Sequence, residues 1–437
     1  MNYEEALTYI NQLSKKGISL GLERMEQLLT LLGNPQEGLR CIHVAGTNGK
    51  GSVCAFLNSA LRQAGLRVGR YSSPTLYDYR ERIQINGVNI GKDDLAALLT
   101  IVQQACRQMA QQGQETPTVF EVETALAFLY FQQQRCDYVL LEVGLGGRLD
   151  STNVIQQPVL SVITAISLDH TVLLGDTLAA IAAEKGGIIK AGCPVVLSAQ
   201  QPEALAVLLE RCKACGVQPM QVDATKLQAE DWSRQSQRFS YGRWEHLTIG
   251  LLGDYQRMNA ATALEALQFL QQREPALTDA VIYQALAEAR WSGRFEIILQ
   301  RPLFIVDGAH NPAGAQSLAQ TLKQHFCDKI NAKKIWLLMG VFADKDYQQI
   351  GQILSSCSNT IFCFQPAEVR GLDSAALAAA MQPYYTHIVD AQTAAQAVQQ
   401  VLAEAAPDDV IVSFGSLSTI KAVQDAVQQW EVQHETN

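Results

Sequence analysis

The sequence predicts an α/β protein in which helices wrap mostly parallel sheets. Short apolar runs alternate with longer helical patterns along most of the 437 residues, and this alternation is typical of strand–helix–strand units. Two of the runs, DYVLLEVG at 137–144 and VLSVITAIS at 159–167, are apolar over most of their length. Such runs indicate strands that are covered on both faces, as the strands of parallel sheets are.

The first part of the chain is expected to form one large domain. Strands are expected at 41–46, 68–73, 137–144, 159–167 and 194–198, and helices at 51–65, 93–113, 119–134, 255–272 and 278–290. The helical pattern ends at a glycine in two of these segments, as is common at helix C-termini. The pattern is interrupted at 216–250, where polar, short alternating pieces predict antiparallel strands at a sheet edge.

A second alternation follows and indicates a smaller domain. Strands are expected at 303–308, 334–340, 360–364 and 409–415, with a helix at 313–326 and further helices between the strands. The alternation restarts after the segment WSGRFEII at 291–298. We therefore predict two domains, 1–293 and 294–437.

Composition and charge exclude several classes of protein. The 34 Lys and Arg residues against 43 Asp and Glu residues give a net charge of −9, whereas proteins that coat nucleic acid present a basic surface. The hydrophobic content of 48% is too high for a disordered chain. The sequence has no apolar run of the ~18 residues that a membrane span needs. Ten scattered cysteines and an acidic N-terminus unlike a signal peptide predict a cytoplasmic protein.

The motif GTNGKGS at 46–52 is the strongest chemical signal. It follows a predicted strand and opens a predicted helix, where backbone N–H groups and the helix dipole favour an anion. Lys50 is placed to reach the outer phosphates of a nucleotide, and a hydroxyl of the motif could bind Mg²⁺. The glycine spacing departs from that of the common P-loop and counts against ordinary kinases and GTPases. The alternative is a glycine-rich turn without a ligand. The loop residues are Gly46, Thr47, Asn48, Gly49, Lys50, Gly51 and Ser52.

The glycine-rich segment EVGLGGRLDSTN at 142–153 follows the predicted strand at 137–143. Ligands of parallel α/β sheets bind beyond the carboxyl ends of the strands. Glu142 ends an apolar strand, which suits a metal-binding carboxylate, and the glycines allow the backbone to approach a ligand closely. The alternative is a flexible loop that carries a solvated pair of Arg148 and Asp150.

Two further motifs of the first domain carry titratable groups. Asp169 and His170 in SLDHT follow the predicted strand at 159–166. A single His is more often structural, and Mg²⁺ prefers oxygen ligands, so the residues alone leave the role of His170 open. Lys185 in EKGGIIK precedes two glycines at a predicted helix end, where a cation also stabilises the helix terminus.

The second domain contributes a third group of polar residues. The segment DGAHNP at 307–312 ends a strand and precedes a helix, so Asp307, His310 and Asn311 could meet a ligand there. Asn311, followed by proline, alternatively reads as a helix N-cap. Arg294 in WSGR lies at the predicted domain boundary, from which it could reach a phosphate held by the first domain.

These motifs, in this order, resemble the family of folylpolyglutamate synthases and bifunctional dihydrofolate synthases, which is related to the Mur ligases of peptidoglycan synthesis. The resemblance extends from LGLERMEQLL at 20–29 to SFGSLSTI at 413–420. It implies a P-loop-type ATP-binding domain followed by a smaller Rossmann-like glutamate ligase domain. The matching motifs are GTNGKGS, SSP followed by ERIQING (72–74, 81–87), EVGLGGRLDSTN, LDH, EKGGIIK, RMNAATAL (257–264), SGR and DGAHNP.

The resemblance also implies roles for individual residues. Lys50 and its loop would bind the phosphates of ATP, and Asn259, Arg294 and Asp307 would contact ATP. The metal ligands for Mg²⁺ would be Ser73, Glu142 and His170, with Lys185 carbamylated at a second metal site. The expected catalytic residues are Lys50, Lys185, His170, Asp307 and His310. The expected pterin-binding residues are Thr118, Phe120, Glu121, Leu149, Asp150 and Ser151.

Two positions depart from the family pattern. Thr75 follows the SSP motif where the family often has His, so a role for that His is not carried over. Gly186 stands where Ala is usual, which is a small change.

The activity implied by the resemblance is ATP-dependent amide ligation in folate biosynthesis and one-carbon metabolism. ATP would phosphorylate a carboxylate of dihydropteroate or of a folate glutamate tail, and L-glutamate would capture the acyl phosphate. The alternatives are polyglutamylation alone, a Mur-type ligase acting on a UDP-sugar peptide, and a non-catalytic nucleotide-binding module. We expect a monomer with ATP and Mg²⁺ as cofactors and with no nucleic acid or membrane as partner.

Overall fold

The structure is a computed structural model that describes residues 1–14, 17, 19–327 and 334–435. The chain forms two compact units. The first contains Met1–Gln228, Ser240–Leu247 and Met258–Ala289. The second contains Ala229–Phe239, Thr248–Arg257 and Arg290–Asn437.

The first unit is built on an eight-stranded sheet of order β4-β3-β2-β5-β1-β6-β7-β8. The strands from β2 to β8 in this order run parallel, whereas β3 and β4 form an antiparallel edge. This is the mostly parallel sheet that the apolar runs predict. The strands are β1 Cys41–Ala45, β2 Val68–Tyr71, β3 Ile83–Ile85, β4 Val88–Asn89, β5 Tyr138–Glu142, β6 Leu160–Ile163, β7 Val195–Leu197 and β8 Met220–Gln221.

Helices cover both faces of this sheet. Val139, Leu140 and Leu141 of β5 are successive residues, which point to alternate faces of a strand, and all three are fully buried. Val139 and Leu141 share one apolar cluster with residues of the helices α1, α2, α4 and α5. The helices of this unit are α1 Tyr3–Ser14, α2 Glu23–Leu31, α3 Lys50–Gln63, α4 Lys92–Gln111, α5 Val119–Gln133, α6 Thr171–Leu174, α7 Leu178–Gly186, α8 Pro202–Ala214, most of α9 Tyr255–Gln271, and α10 Asp279–Glu288.

The polar stretch at 216–250 differs from its prediction in one respect. Its strands β9 Leu227–Trp232, β10 Gln237–Tyr241 and β11 Trp244–Ile249 are present, but they form a three-stranded sheet of their own, in the order β11-β10-β9. In this stretch β8 joins the edge of the large sheet, and it does so in parallel. Short alternating patterns predict strands but contain no information about which sheet each strand joins.

The second unit contains a six-stranded sheet of order β12-β13-β17-β14-β15-β16. All its pairings are parallel except that of β12 with β13. The two units therefore confirm the predicted fold class. The strands are β12 Glu296–Gln300, β13 Leu303–Val306, β14 Ile335–Met339, β15 Thr360–Phe364, β16 His387–Gln392 and β17 Val410–Phe414. The helices are α11 Pro312–His325, α12 Tyr347–Leu354, α13 Ser374–Met381, α14 Ala394–Glu404 and α15 Ile420–Glu435.

None of the helices in the described part of the chain has the length and apolar character needed to cross a membrane.

Candidate active site

The motif at 46–52 forms the connection from β1 to α3, as expected. Gly46 and Gly49 adopt φ values of 149° and 93°, which side chains rarely permit. A Cβ atom at Gly46 would lie 1.8 Å from Oγ1 of Thr164, and one at Gly49 would lie 2.3 Å from Oδ1 of Asn259. The loop is thus packed against the end of β6 and against α9. Both glycines are required by backbone conformation and by space.

Hydrogen bonds hold this loop in shape. Nζ of Lys50 donates to the carbonyl oxygens of Gly46 (3.0 Å) and Thr47 (3.2 Å). Thr47 Oγ1 donates to the carbonyl oxygen of Ser167 and accepts from its N–H group, and Asn48 Nδ2 donates to Ser167 Oγ. The N-cap of α3 is Gly49, which has no side chain to satisfy the first N–H groups of the helix. This helix terminus is therefore suited to an anion.

Asp150 organises the glycine-rich loop that follows β5. Its Oδ2 accepts from the N–H groups of Gly144 (3.0 Å) and Leu145 (2.9 Å), and its Oδ1 accepts from the N–H and the hydroxyl of Thr152. These four bonds use the acceptor capacity of a carboxylate. Asp150 therefore stabilises the conformation of this loop. Arg148 pairs with Glu184 at 2.8 Å, so the alternative of a solvated pair with Asp150 was wrong.

Lys185 lies in the last turn of α7 and is 5% exposed. Burial lowers the pKa of Lys185 to about 7; the charge of Lys50 lowers it further, while Asp169 and Asp150 act in the opposite direction. Lys185 is thus close enough to Lys50, Asp150 and Asp169 for their charges to act on it. The burial of Lys185 also sets it apart from a solvated lysine that caps a helix terminus.

Glu142 ends β5 and is 6% exposed. Burial raises the pKa of the Cys54 thiol in α3, and the charge of Glu142 acts in the same direction while those of Arg70 and Lys50 oppose it. Glu142 is thus close to the first turns of the helix that begins at Lys50. A single buried carboxylate beside a phosphate loop fits Mg²⁺, which takes one or two carboxylates together with phosphate oxygens. Among the described residues, no three His, Cys, Asp or Glu side chains form a metal-binding group.

His170 follows β6 and precedes the short helix α6. Its backbone is left-handed, with φ of 51°, and its N–H donates to Oδ1 of Asp169 at 2.8 Å. Its ring Nε2 lies 4.0 Å from the same oxygen, and its side chain is 39% exposed. The ring is thus placed beside a carboxylate and remains accessible from solvent.

A cavity of about 220 Å³ lies in the first unit, and it brings together most of the residues expected at the pterin site. Its walls include the predicted metal ligand Ser73. Glu121, which we expected at the pterin site, does not line the cavity. Glu121 instead forms a capping box with Thr118 at the start of α5. The predicted residues that line the cavity are Thr118, Phe120, Leu149, Asp150 and Ser151.

In the second unit, Asp307 follows β13 and is 3% exposed. Its Oδ2 accepts from the hydroxyl of Tyr255 (2.7 Å) and the N–H of Phe295 (2.8 Å), and its Oδ1 accepts from the N–H of Ala309 (2.8 Å). Nη1 of Arg294 approaches the next residue, Gly308, where a Cβ atom would lie 3.0 Å from it. Asp307 and Arg294 are therefore brought together.

His310 and Asn311 complete this strand end. Nδ1 of His310 lies 2.7 Å from the carbonyl oxygen of Gly308, which only accepts, so Nδ1 is the donor of this hydrogen bond. Oδ1 of Asn311 accepts from the N–H of Gly314, with Pro312 at the first position of α11. Asn311 is thus the helix cap that one interpretation of the sequence predicts.

Comparison with known proteins identifies the family. Residues 44–267 match the Mur ligase middle domain and residues 293–417 match the Mur ligase glutamate ligase domain. The chain is 38% identical over 367 residues to a dihydrofolate synthase/folylpolyglutamate synthase of Bacillus subtilis, with 82% of this chain and 84% of the relative covered. It is 37% identical to a folylpolyglutamate synthase of Lacticaseibacillus casei, with 98% and 99% covered. The chain belongs to the folylpolyglutamate synthase family of the Mur ligase superfamily.

Solved structures of folylpolyglutamate synthases agree with this assignment. The Mycobacterium tuberculosis folylpolyglutamate synthase complexed with ADP aligns with a TM-score of 0.86 at 28% identity, covering 97% of this chain and 98% of the other. Escherichia coli FolC in complex with DHPP and ADP aligns with a TM-score of 0.85 at 30% identity, covering 99% of both chains. The resemblance inferred from the motifs is therefore confirmed, and the protein is an ATP-dependent ligase of this family.

Some residues of this folylpolyglutamate synthase-family site were not predicted from the sequence. Tyr255 contacts Asp307, and His43 lies with its Nε2 2.8 Å from Oγ1 of Thr152, which in turn donates to Asp150. Burial lowers the pKa of His43 to about 3, so its ring is neutral. Both residues act through a neighbour far away in sequence, and no local motif indicates such a contact.

Proposed function

We propose that this enzyme joins L-glutamate to dihydropteroate and to the glutamate tail of reduced folates, with ATP and Mg²⁺ as cofactors. The observation that carries the proposal is the cavity lined by Thr118, Phe120, Leu149 and Ser151, in the same unit as the phosphate loop. An apolar cleft with a few hydrogen-bonding groups suits a flat heteroaromatic ring such as a pterin. The relatives of Bacillus subtilis and Escherichia coli carry both activities in their names.

The reaction proceeds in two steps. A carboxylate oxygen of the acceptor takes the γ-phosphoryl group of ATP, which leaves ADP and an acyl phosphate. The neutral amino group of glutamate then attacks the acyl carbon and loses one proton, and an amide forms as phosphate leaves with the C–O bond electrons. Phosphorylation is needed because a free carboxylate is a poor electrophile. The protein supplies positioning and charge for this chemistry rather than a nucleophile.

The residues of the first unit would bind the phosphates and the metal. Lys50 and the N–H groups at the start of α3 would hold the phosphates of ATP, at the loop of residues 46–52. Ser73, Glu142 and His170 would bind Mg²⁺, which neutralises charge on the transferring phosphoryl group when bound. Lys185 would be carbamylated at a second metal site, since its burial and lowered pKa favour the neutral amine that reacts with CO₂.

The nucleotide would also be contacted by Asn259 of the first unit and by Arg294 and Asp307 of the second. His310, which follows Asp307 at the same strand end, would take part in catalysis. In support, Asn259 packs against Gly49 of the phosphate loop, and Arg294 approaches the residue after Asp307. We assign 1–293 to the ATP-binding Mur-ligase-like domain and 294–437 to the glutamate ligase domain. The family-model matches at 44–267 and 293–417 support a division into two such domains.

A cytoplasmic location and a monomeric state are part of the same proposal. The ten cysteines, all of which lie in the described part of the chain, carry free thiols, as is usual in a reducing compartment. The monomeric state is tested by sedimentation of the purified protein with and without ATP.

Polyglutamylation without dihydrofolate synthesis is the second candidate function. It is favoured by the Lacticaseibacillus casei relative, which is named for folylpolyglutamate synthase alone and covers 98% of this chain. The deciding experiment incubates the purified enzyme with MgATP and labelled L-glutamate, once with dihydropteroate and once with a reduced folate. Labelled product from both acceptors supports the proposal. Product from the reduced folate alone supports the second candidate, and a UDP-sugar peptide serves as the Mur-type control.

A further inference from the structure

Arg24, in the first turn of α2, connects two separate parts of the chain. Its Nη2 donates to the carbonyl oxygen of Ser19 at 2.9 Å, and its Nε donates to Oε2 of Glu121 at 3.3 Å. Its Nη1 also donates to Oε2 of Glu115 at 3.0 Å. The side chain of Arg24 is 12% exposed and that of Glu121 is 1% exposed, whereas that of Glu115 is 78% exposed. The guanidinium thus has one buried acceptor, Glu121, and two acceptors on exposed residues, Ser19 and Glu115.

Two of these acceptors, Ser19 and Glu121, connect Arg24 to residues that line the cavity described above. Ser19 and Leu20 line one side of the cavity, and Thr118 and Phe120 line another. Glu121 is coupled to the second wall because its Oε2 also accepts from the N–H of Thr118 at 2.6 Å. Arg24 itself does not line the cavity. The guanidinium of Arg24 therefore links the segment at Ser19 to the first turn of α5 from outside the cavity lining.

An arginine is suited to this task for geometric reasons. Its planar group offers five N–H donors in a rigid fork, whereas a lysine ammonium is a point charge on a flexible stem. Hydrogen bonds to a carboxylate are stronger than those between neutral groups. A lysine at this position could keep the charge opposite Glu121, but it could not reproduce the planar fork that faces Glu115, Glu121 and Ser19 together.

We propose that Arg24 is a positioning residue for the pterin-bearing substrate, since it sets the width of the cavity between Ser19 and Phe120. The proposal rests on the proposed function, because it takes the ligand of this cavity to be a pterin. The substrate's affinity depends on the two walls being held at the right separation before binding, which reduces the ordering cost of binding. Neither ATP nor free glutamate requires that separation.

The test compares Arg24→Lys with the wild-type enzyme, and Glu115→Gln serves as the matched control. Arg24→Lys should raise the KM for dihydropteroate and for reduced folate by roughly tenfold, as expected for the loss of a charged hydrogen bond. The KM for ATP and for glutamate should stay within about twofold, and kcat should change little. Glu115→Gln removes only the negative charge of an acceptor that is exposed and does not line the cavity, and it should leave every constant unchanged.

The outcomes separate this role from a purely structural one. Wild-type KM values in Arg24→Lys would overturn the proposal, and so would an equal rise for the pterin-bearing substrate and for ATP. Failure of both Arg24→Lys and Arg24→Gln to fold would assign Arg24 to the stability of the unit and would also overturn it. If the wild-type enzyme forms no product from any pterin acceptor, the proposed function fails; if it is active and Arg24→Lys matches it, only the role of Arg24 fails.

Discussion

The hydroxyl of Tyr255 donates a 2.7 Å hydrogen bond to Oδ2 of Asp307. Tyr255 begins α9 and Asp307 follows β13, 52 positions further along the chain. Burial raises the pKa of Tyr255 well above its usual value, so the hydroxyl keeps its proton and remains a donor. With the N–H groups of Phe295 and Ala309, it fixes the orientation of a carboxylate that we expect to contact ATP.

We predict that Tyr255→Phe weakens both the fold and the nucleotide site. The variant removes one hydrogen bond to a charged group, worth about 1.5–3 kcal/mol, and leaves Asp307 with two N–H donors. The free energy of unfolding should fall by about that amount, and the KM for ATP should rise several-fold. Tyr385→Phe is the control, because the hydroxyl of Tyr385 donates to the carbonyl oxygen of Gly351. Tyr385→Phe should lower stability and leave the KM for ATP unchanged. Similar KM values for ATP in Tyr255→Phe and Tyr385→Phe would contradict the prediction.

Lys50→Ala should nearly abolish ligation while the fold is retained. Within the described part of the chain, the ammonium group donates hydrogen bonds only to the carbonyl oxygens of Gly46 and Thr47 in its own loop, so its removal costs little packing. In the reaction it would stabilise charge on the transferring phosphoryl group, and loss of one such group typically lowers kcat by roughly 10²–10³. The measurement is ADP release under saturating substrates, with thermal unfolding as the test of fold. The exposed Lys226, changed to Ala, is the control. A well-folded Lys50→Ala enzyme with near-normal turnover would remove Lys50 from the phosphate site.

Glu142→Gln should weaken the dependence of activity on Mg²⁺. The amide keeps the size of the buried side chain and loses the anion that Mg²⁺ prefers. The Mg²⁺ concentration for half-maximal activity should rise by at least roughly tenfold. Glu274→Gln is a matched control, because Glu274 pairs with Arg40 before the amino end of β1, whereas Glu142 lies at the carboxyl end of β5. Identical Mg²⁺ titrations for the wild type and Glu142→Gln would exclude Glu142 as a metal ligand.

The buried amine of Lys185 predicts two pH effects. In the folded protein its pKa is about 7, against an ordinary value of 10.5 for lysine, so the unfolded chain binds more protons between these values. Stability of the metal-free, CO₂-free protein should therefore rise with pH across this window. The activity of the enzyme supplied with CO₂ and Mg²⁺ should rise with pH through about 7, because carbamate formation needs the neutral amine.

The variant Lys185→Met distinguishes the pH effects of Lys185 from those of other titratable groups. The variant should lose the part of the stability increase that Lys185 contributes between about pH 7 and 10.5, as measured by denaturant unfolding at several pH values. It should also be inactive with or without added bicarbonate. A wild-type enzyme whose activity is indifferent to bicarbonate depletion, and whose stability profile matches that of Lys185→Met, would contradict both effects.

The parts of the molecule that the sequence predicts are those with a local signal. The strand at 41–46 and the helix after it are predicted from an apolar run, from two glycines and from a lysine, all within a dozen residues. In the structure both glycines have positive φ. By contrast, β16 at His387–Gln392 has one buried residue, Ala391, and its other residues are exposed or half-buried, so this segment lacks the apolar run that marks a buried strand. The hairpin of β3 and β4 is too short for a reliable period.

The candidate site divides in the same way. Lys50, Glu142 and Asp307 lie at, or within a few residues of, the carboxyl ends of predicted strands and could be found from that position. Arg24 and Tyr255 lie in helices, and their roles depend on partners 97 and 52 positions away, Glu121 and Asp307. Packing of distant elements determines these contacts, and a periodic pattern does not contain that information.

The last prediction is that one phosphate and metal site serves both acceptors, so the enzyme should make dihydrofolate and also extend folates. The two reactions form the same kind of bond from the same kind of acyl phosphate. They differ in where the accepting carboxylate lies, on the benzoate of dihydropteroate or on a glutamate side chain. If both acceptors share the phosphate loop, Lys50→Ala should lower both rates by the same factor. If both bind their pterin in the cavity, dihydropteroate and a reduced folate should compete with each other, as measured by labelled glutamate incorporation with mixed acceptors. Two independent, non-competing activities, or folate extension without dihydrofolate formation, would contradict a shared site.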